Sequence, residues 1–377
     1  MKRRLLLLLL LGVFLSVACS TESIKIKIEN TLEFDRNGEM VEISTVDLKA
    51  DFTHKTYLLK DEKGVETGYQ LLKNSKVPVL IFQANVPAQS SATYTLVEGT
   101  PANVAIRTQA RLVPERRDDF AWENDIAAFR MYGPALEEIE NPSNGVDIWV
   151  KYKDEPVMDA IYEGTLRKLS YHEDNALGGF DSYDVGHTLG AGGNALYTNR
   201  LWLGDAFDSY EILESGPLRS VFTLIYDTIR MNDMYYAETL TITTDAGSML
   251  NKGVVNYQGL EQPVQLATGI FMHRDSANVF YDKENRVLSY TKNITTNKGL
   301  SQGQHYIGIY VPEASSEPFI EDNQYILLSD YKMGNDFTYY FGGAWSQWKF
   351  PTEQGWCDAL IRFSQAKKEP LKIKVLE

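Results

Sequence analysis

Apolar and polar residues alternate along most of this chain. Ile24, Ile26 and Ile28 are interleaved with Lys25, Lys27 and Glu29, the period of two expected of a strand with one buried face. Similar runs recur at 76–86 (KVPVLIFQANV), 92–99, 103–113, 219–229, 238–246, 253–258, 304–312 and 324–331. Thr, Val, Ile and Tyr dominate them, and turn residues such as Arg36-Asn37-Gly38 and Asp245-Ala246-Gly247 punctuate them. Helical spacing is scarce, with Ala160–Lys168 the one short candidate. The pattern predicts an all-β protein, a large antiparallel β-sandwich, with strands before 114 and after 217 flanking a block of long glycine-rich loops. One domain over 22–377 is expected. A small N-terminal sandwich over 22–110, packed on a larger one, is the alternative architecture.

The first residues change the picture. Met1-Lys2-Arg3-Arg4 precedes an apolar run from Leu5 to Val17, too short to span a bilayer comfortably and built like an export signal over residues 1–18. Ser16-Val17-Ala18-Cys19 resembles a bacterial lipobox, which makes Cys19 the expected lipidation site and places the protein in the periplasm or at the outer membrane. That anchor is the only membrane contact expected. Removing residues 1–18 takes Lys2, Arg3 and Arg4 away and moves the formal charge from −14 to about −17. So acidic a chain is a poor partner for nucleic acid. Once Cys19 is lipidated only Cys357 remains, so neither an internal disulfide nor a cysteine-rich metal site is available.

Candidate chemistry concentrates between Asp118 and Trp202, where acids, aromatics, two of the five histidines and many glycines fall together. The chain lacks G-x-S-x-G, Walker, H-E-x-x-H and EF-hand patterns, which argues against a triad hydrolase and an NTPase. Gly190-Ala191-Gly192-Gly193 follows no strand–helix unit and reads as a loop. Trp122-Glu123-Asn124-Asp125 puts two carboxylates on one face if the segment is a strand. Trp122 and Tyr132 are then sugar platforms, Glu123 and Asp125 sugar contacts, and Arg130 an anion clamp. A structural ion pair beneath a packed aromatic is the competing reading. His172 and His187, near Asp181 and Tyr183, are candidate proton-transfer groups, as is His273. Trp345, Trp348 and Trp356 near the C-terminus offer indole surfaces, Trp345 being the one taken as a substrate contact. Glu123, Asp125, His172, Glu173, Asp174 and Asp181 are hard donors, so a divalent cation is the one cofactor the side chains admit.

AWENDIAAFRMYGPAL, YHED, GGFDSYDVGHTLGAGG and ESGPLRSVFTLIYD, in that order, resemble the domain-of-unknown-function 4861 family of Bacteroidetes polysaccharide-utilisation systems. The resemblance covers essentially the whole chain after the leader. It implies a galactose-mutarotase-like sandwich and a role on uronate-containing, hence anionic, oligosaccharides. The reaction it implies is elimination of water, or of an alkoxide, to give an unsaturated uronate. On that reading His172 and Tyr183 share the roles of base and acid, and Arg130 neutralises the substrate carboxylate. A non-catalytic glycan-binding lipoprotein and an aldose mutarotase or epimerase are the alternatives. The expectation with the most at stake is that Glu123, Arg130, Tyr132, His172, Asp181 and Tyr183 meet on one concave surface.

Overall fold

The computed structural model describes residues 23–231, 234–259, 263–273 and 278–376. The expected export signal and Cys19 lie outside them. The chain is all-β, in five antiparallel sheets with few and short helices. Nearly all the alternating runs form strands, Ile26 and Ile28 being fully buried as their spacing requires. The exception is 103–113, in which only Gln109–Val113 is extended. Its first half is a connector, held where Arg107 donates to Gln83 Oε1 at 2.6 Å and takes the Pro217 carbonyl on its backbone N–H.

The N-terminal segment builds a small sandwich. Ser23–Asn30, Ser90–Glu98 and Tyr57–Lys60 form one sheet, completed by the C-terminal strand Lys372–Leu376. It faces a second sheet of Arg36–Ser44, Val79–Val86 and Tyr69–Leu72. Leu59, Leu80, Phe82 and Leu96 fill the space between them. Arg36-Asn37-Gly38 is a bulge within a strand, not a turn between strands: the register slips between Arg36 and Glu39, and Gly38 has φ +67°.

The larger body is an eight-stranded sheet packed against two five-stranded sheets. Its central strands are Arg219–Met231, Met234–Asp245, Leu250–Gln258, Phe337–Trp345 and Ser301–Tyr310. One facing sheet holds Gln109–Val113, Asp119–Glu123, Ala127–Met131, Asp147–Lys151 and Gly179–Asp181. The other is centred on Ala191–Tyr197, Val264–Phe271 and Gln324–Tyr331. A parallel bridge, Val146 to Gly190, joins the two. Trp122, Phe129 and Ile148 from the first, and Leu196, Leu266 and Ile270 from the second, meet Phe222, Ile307 and Phe341 across the layer. Each such side chain contributes about 1.5–3 kcal/mol by leaving water.

The block expected to be loops keeps long loops but also contributes strands to both five-stranded sheets. Its strands Asp119–Glu123, Ala127–Met131 and Asp147–Lys151 are buried at every position, because both faces are covered. Gly190–Gly193 is likewise the start of a strand. A Cβ on Gly192, whose φ is +114°, would stand 2.4 Å from Phe341 Cβ, so this glycine permits close sheet-on-sheet contact.

Two longer helices cover outer faces. Met158–Leu166 lies within two residues of the expected segment and buries Met158, Ile161 and Tyr162. Glu353–Lys368 was not foreseen. Thr352 caps it by accepting the Gly355 N–H at 3.1 Å, and Trp356, Leu360 and Ser364 form its buried stripe at i, i+4 and i+8. Trp356 is thus a core residue, its Nε1 donating to Ser289 Oγ at 2.8 Å.

One core position has a pH consequence. Glu238 is 1% exposed beside Tyr226, Tyr236, Tyr257 and Tyr339, and among the described residues neither carboxyl oxygen has a hydrogen-bond partner. Burial pushes its pKa up to about 8, against smaller opposing effects of Tyr257 and Asn144. A carboxyl raised in the folded state favours folding at low pH, and that contribution is lost as pH rises toward and through 8. Glu238→Gln should remove a pH-dependent loss of at most about 5 kcal/mol between pH 5 and 9. Urea midpoints of the two proteins across that range test this; parallel profiles would show that Glu238 does not titrate in the folded protein.

Candidate functional site

The outer face of the first five-stranded sheet carries the charged residues. Cross-strand partners on one face point the same way, and the register pairs Ala121 with Arg130, Arg130 with Asp147, and Trp149 with Asp181. Asp119, Arg130, Asp147 and Asp181 therefore gather on that face, each at most 3% exposed. Arg130 Nη2 stands 2.5 Å from Asp147 Oδ2 and 3.5 Å from Asp181 Oδ2, and Nη1 stands 3.6 Å from Asp119 Oδ2. The guanidinium also lies 5.2–5.3 Å from the ring centres of Tyr132, Trp149 and Tyr171. Burial pushes the Asp119 carboxyl up to about 6, against the pull of Arg130 and Arg116. The Asp147 carboxyl is raised for the same reason, with Asp181 adding to the rise.

His172 is the surface end of this cluster. Its Nδ1 is 3.2 Å from Asp181 Oδ2 and its side chain is 61% exposed. The Asp181 carboxylate raises the imidazole pKa, partly offset by desolvation. Asp181 itself is oriented by the Tyr183 N–H, which donates to Oδ1 at 2.9 Å. Among the described residues, His172 Nε2 has no hydrogen-bond partner. His172, Asp181, Ser182, Tyr183, His273, Lys292, Lys298 and Gln302 line one cleft of about 690 Å³. That volume lies in the range of small-ligand sites.

Several expected roles need correction. Trp122 is fully buried, stacked on Phe129 at 5.4 Å, and so offers no face to a sugar. The strand ends at Glu123, so Glu123 and Asp125 do not share a strand face. Glu123 pairs with buried Lys151 at 2.5 Å and accepts the Val157 and Met158 N–H groups at the start of the helix. Asp125 pairs with Arg107 and accepts the Gly247 N–H at 2.6 Å. Arg130 is enclosed by carboxylates and rings beneath the cleft, so it cannot clamp a ligand.

Tyr183 lines the cleft, but its hydroxyl donates inward to the Phe271 carbonyl at 2.6 Å and burial drives its pKa far upward, which removes it as a proton donor. Trp345 is 5% exposed, its Nε1 donating to the Gln302 carbonyl at 2.8 Å; it supports the cleft wall through Phe180. His187 is exposed beside the Pro142 carbonyl and is not part of the cleft lining.

Arg130, Tyr132, His172 and Asp181 do come together, with Tyr183 adjoining and Glu123 in a separate ion pair. His273 lies in the cleft, its Nε2 2.7 Å from the Asp184 carbonyl. Three contributors were not singled out from the sequence: Asp147, Lys292 and His305. Asp147 and Lys151 alternate with apolar residues in VDIWVK, a signal that such a strand carries buried charge on one face. Lys292 and His305 lie on neighbouring strands more than a hundred residues beyond His172, and nothing local marks them. Among the described residues no three His, Cys, Asp or Glu side chains are grouped to hold a metal ion. Of the six hard donors only His172 and Asp181 stay together; Glu123 and Asp125 go to separate cations, Glu173 to Asn297 and Asp174 to Tyr152.

A curated relative, "Uncharacterized protein P7" of Formosa agariphila, is 24% identical over the full length of both chains. Among solved structures, a glycosyl hydrolase family 38 protein from Enterococcus faecalis aligns at 9% identity and TM-score 0.47. It covers 94% of this chain and 47% of its own. An alpha-mannosidase from Enterococcus faecalis V583 aligns at 9% identity and TM-score 0.45, with 94% and 46% covered. The chain spans about half the length of these two. The model of the family described as domain of unknown function (DUF4861) matches residues 28–373, nearly the whole chain, and the protein belongs to that family.

Proposed function

We propose that the cleft binds a uronic-acid-containing oligosaccharide and eliminates water, or an alcohol, across C4 and C5 of a uronate ring. The observation that carries this is the His172–Asp181 pair. An imidazole held through Nδ1 by a buried carboxylate, with Nε2 unpartnered at the cleft, is arranged as a general base.

In the reaction, Nε2 of His172 takes the C5 proton. The electron pair left behind forms the C4=C5 double bond as the C4–O bond breaks. The departing oxygen receives its proton from the His172 imidazolium, so the enzyme ends as it began and the substrate has lost water or an alcohol. C5 is acidic enough only if the neighbouring carboxylate is neutralised. Lys292 and Lys298, both in the cleft lining, supply positive charge that Arg130 cannot. We also propose that the protein is exported and lipid-anchored through Cys19, which would put it where large glycans arrive.

Incubation with uronate oligosaccharides should produce the ultraviolet absorbance of an unsaturated uronate together with a mass loss of one water or a released sugar. Absence of a new chromophore on every uronate glycan tried would remove the elimination reading.

A further inference from the structure

Behind the cleft lining lies a buried histidine. His305 is fully buried, and its Nδ1 is 3.0 Å from Ser182 Oγ. Its Nε2 has no partner among the described residues. Burial first, then the nearby charges of Lys292 and His273, drives its pKa down to about 3, so the ring is neutral. A neutral imidazole carries one proton, and orphaned buried N–H groups are rarer in folded proteins than acceptors left with a free lone pair. The tautomer that strands no N–H carries its proton on Nδ1 and donates it to Ser182 Oγ. With its oxygen accepting from behind, the Ser182 hydroxyl has its own proton left to donate.

Lys292 is the cross-strand partner of His305. Its Nζ donates to the Ser182 carbonyl at 2.6 Å and sits 5.6 Å from the centre of the Tyr183 ring. One residue, Ser182, thus fixes the ammonium through its carbonyl and offers a hydroxyl beside it, and both side chains line the cleft.

We propose that Lys292 and Ser182 form the seat for the substrate carboxylate, with His305 as the positioning residue that turns the Ser182 hydroxyl proton outward. The inference rests on the uronate reading above and assigns the carboxylate to the Lys292–Ser182 part of the same cleft. An ionic contact from lysine and a hydrogen bond from serine suit the two oxygens of one carboxylate.

The test is calorimetric titration with D-glucuronate, its methyl ester and a sulfated monosaccharide, on the whole protein and its variants. Lys292→Met should weaken glucuronate binding by at least about tenfold, and Ser182→Ala by about three- to tenfold. Binding of the methyl ester should change far less. His305→Leu should weaken glucuronate binding too, and should add nothing in a Ser182→Ala background, as expected of a residue acting through another.

Ser182→Ala and Lys292→Met alter the cleft wall and not the core, so they keep the proposal open to refutation if His305→Leu fails to fold. Equal losses for acid and ester, or no loss in either wall variant, would overturn the seat. So would a sulfated sugar that binds as tightly as glucuronate and is lost with the same variants. Turnover separates the two readings: glucuronate binding that depends on Lys292, without any unsaturated product, would leave the seat and remove the elimination. Turnover indifferent to Lys292 would do the reverse.

Discussion

Replacing Arg130 by methionine should destabilise the protein by about 3–5 kcal/mol at neutral pH, the cost of leaving buried carboxylates without their cation. Asp119, Asp147 and Asp181 are each at most 2% exposed and all lie within 3.6 Å of the guanidinium. Methionine fills much of the same volume and suits the ring environment of Tyr132, Trp149 and Tyr171, so the loss measures charge more than packing. The pH dependence is the sharper test. Burial already raises the Asp119 and Asp147 carboxyls, and removing Arg130 takes away the main influence holding them down. They would then be protonated in the folded variant over a wider range, and the deficit relative to wild type should shrink as pH falls from 8 to 5. Denaturant midpoints of both proteins at the two pH values measure this. An equal deficit at pH 5 and pH 8 would mean that Arg130 contributes through packing and not as the counterion of the cluster. Arg130→Lys should lie between the two proteins, because an ammonium keeps the charge but loses the planar fork.

The same residue shows where the sequence could be read and where it could not. Strands with one solvated face, such as Ser23–Asn30 and Met234–Asp245, write their burial into the alternation of side chains, and they were legible. Strands covered on both faces, such as Ala127–Met131, carry no alternation, and the glycines and charges around them read as loop. Arg130 looked like a ligand clamp because its counterions are not its sequence neighbours: Asp147 is seventeen positions away and Asp181 fifty-one. Trp122 looked like a platform because an indole in a core and an indole at a sugar site are the same letter. Chemical density between Asp118 and Trp202 did point to His172 and Asp181. Lys292 in the cleft lining, and His305 buried behind it, come from strands that meet the first sheet only when the sandwich closes.

His172→Ala should lower kcat/KM on a uronate oligosaccharide by ~10²–10⁴-fold, the range expected for loss of a general base. His172 is 61% exposed, so its removal opens no cavity and the fold should survive. Asp181→Asn gives a finer test, because the buried Asp181 carboxylate acts by holding His172 and is a positioning residue. In the wild type the Asp181 carboxylate raises the imidazole pKa. The base is the neutral form, so activity should rise with pH through that elevated value. Asparagine keeps the shape but removes the charge, which lets the imidazole pKa fall toward its ordinary value of about 6.5. The ascending limb of the pH profile should therefore move to lower pH in Asp181→Asn, while the plateau at high pH drops because the ring is less well oriented. A purely structural role for Asp181 would lower activity at every pH without moving the limb. Full turnover in His172→Ala, or a limb that stays in place in Asp181→Asn, would take the base away from this pair.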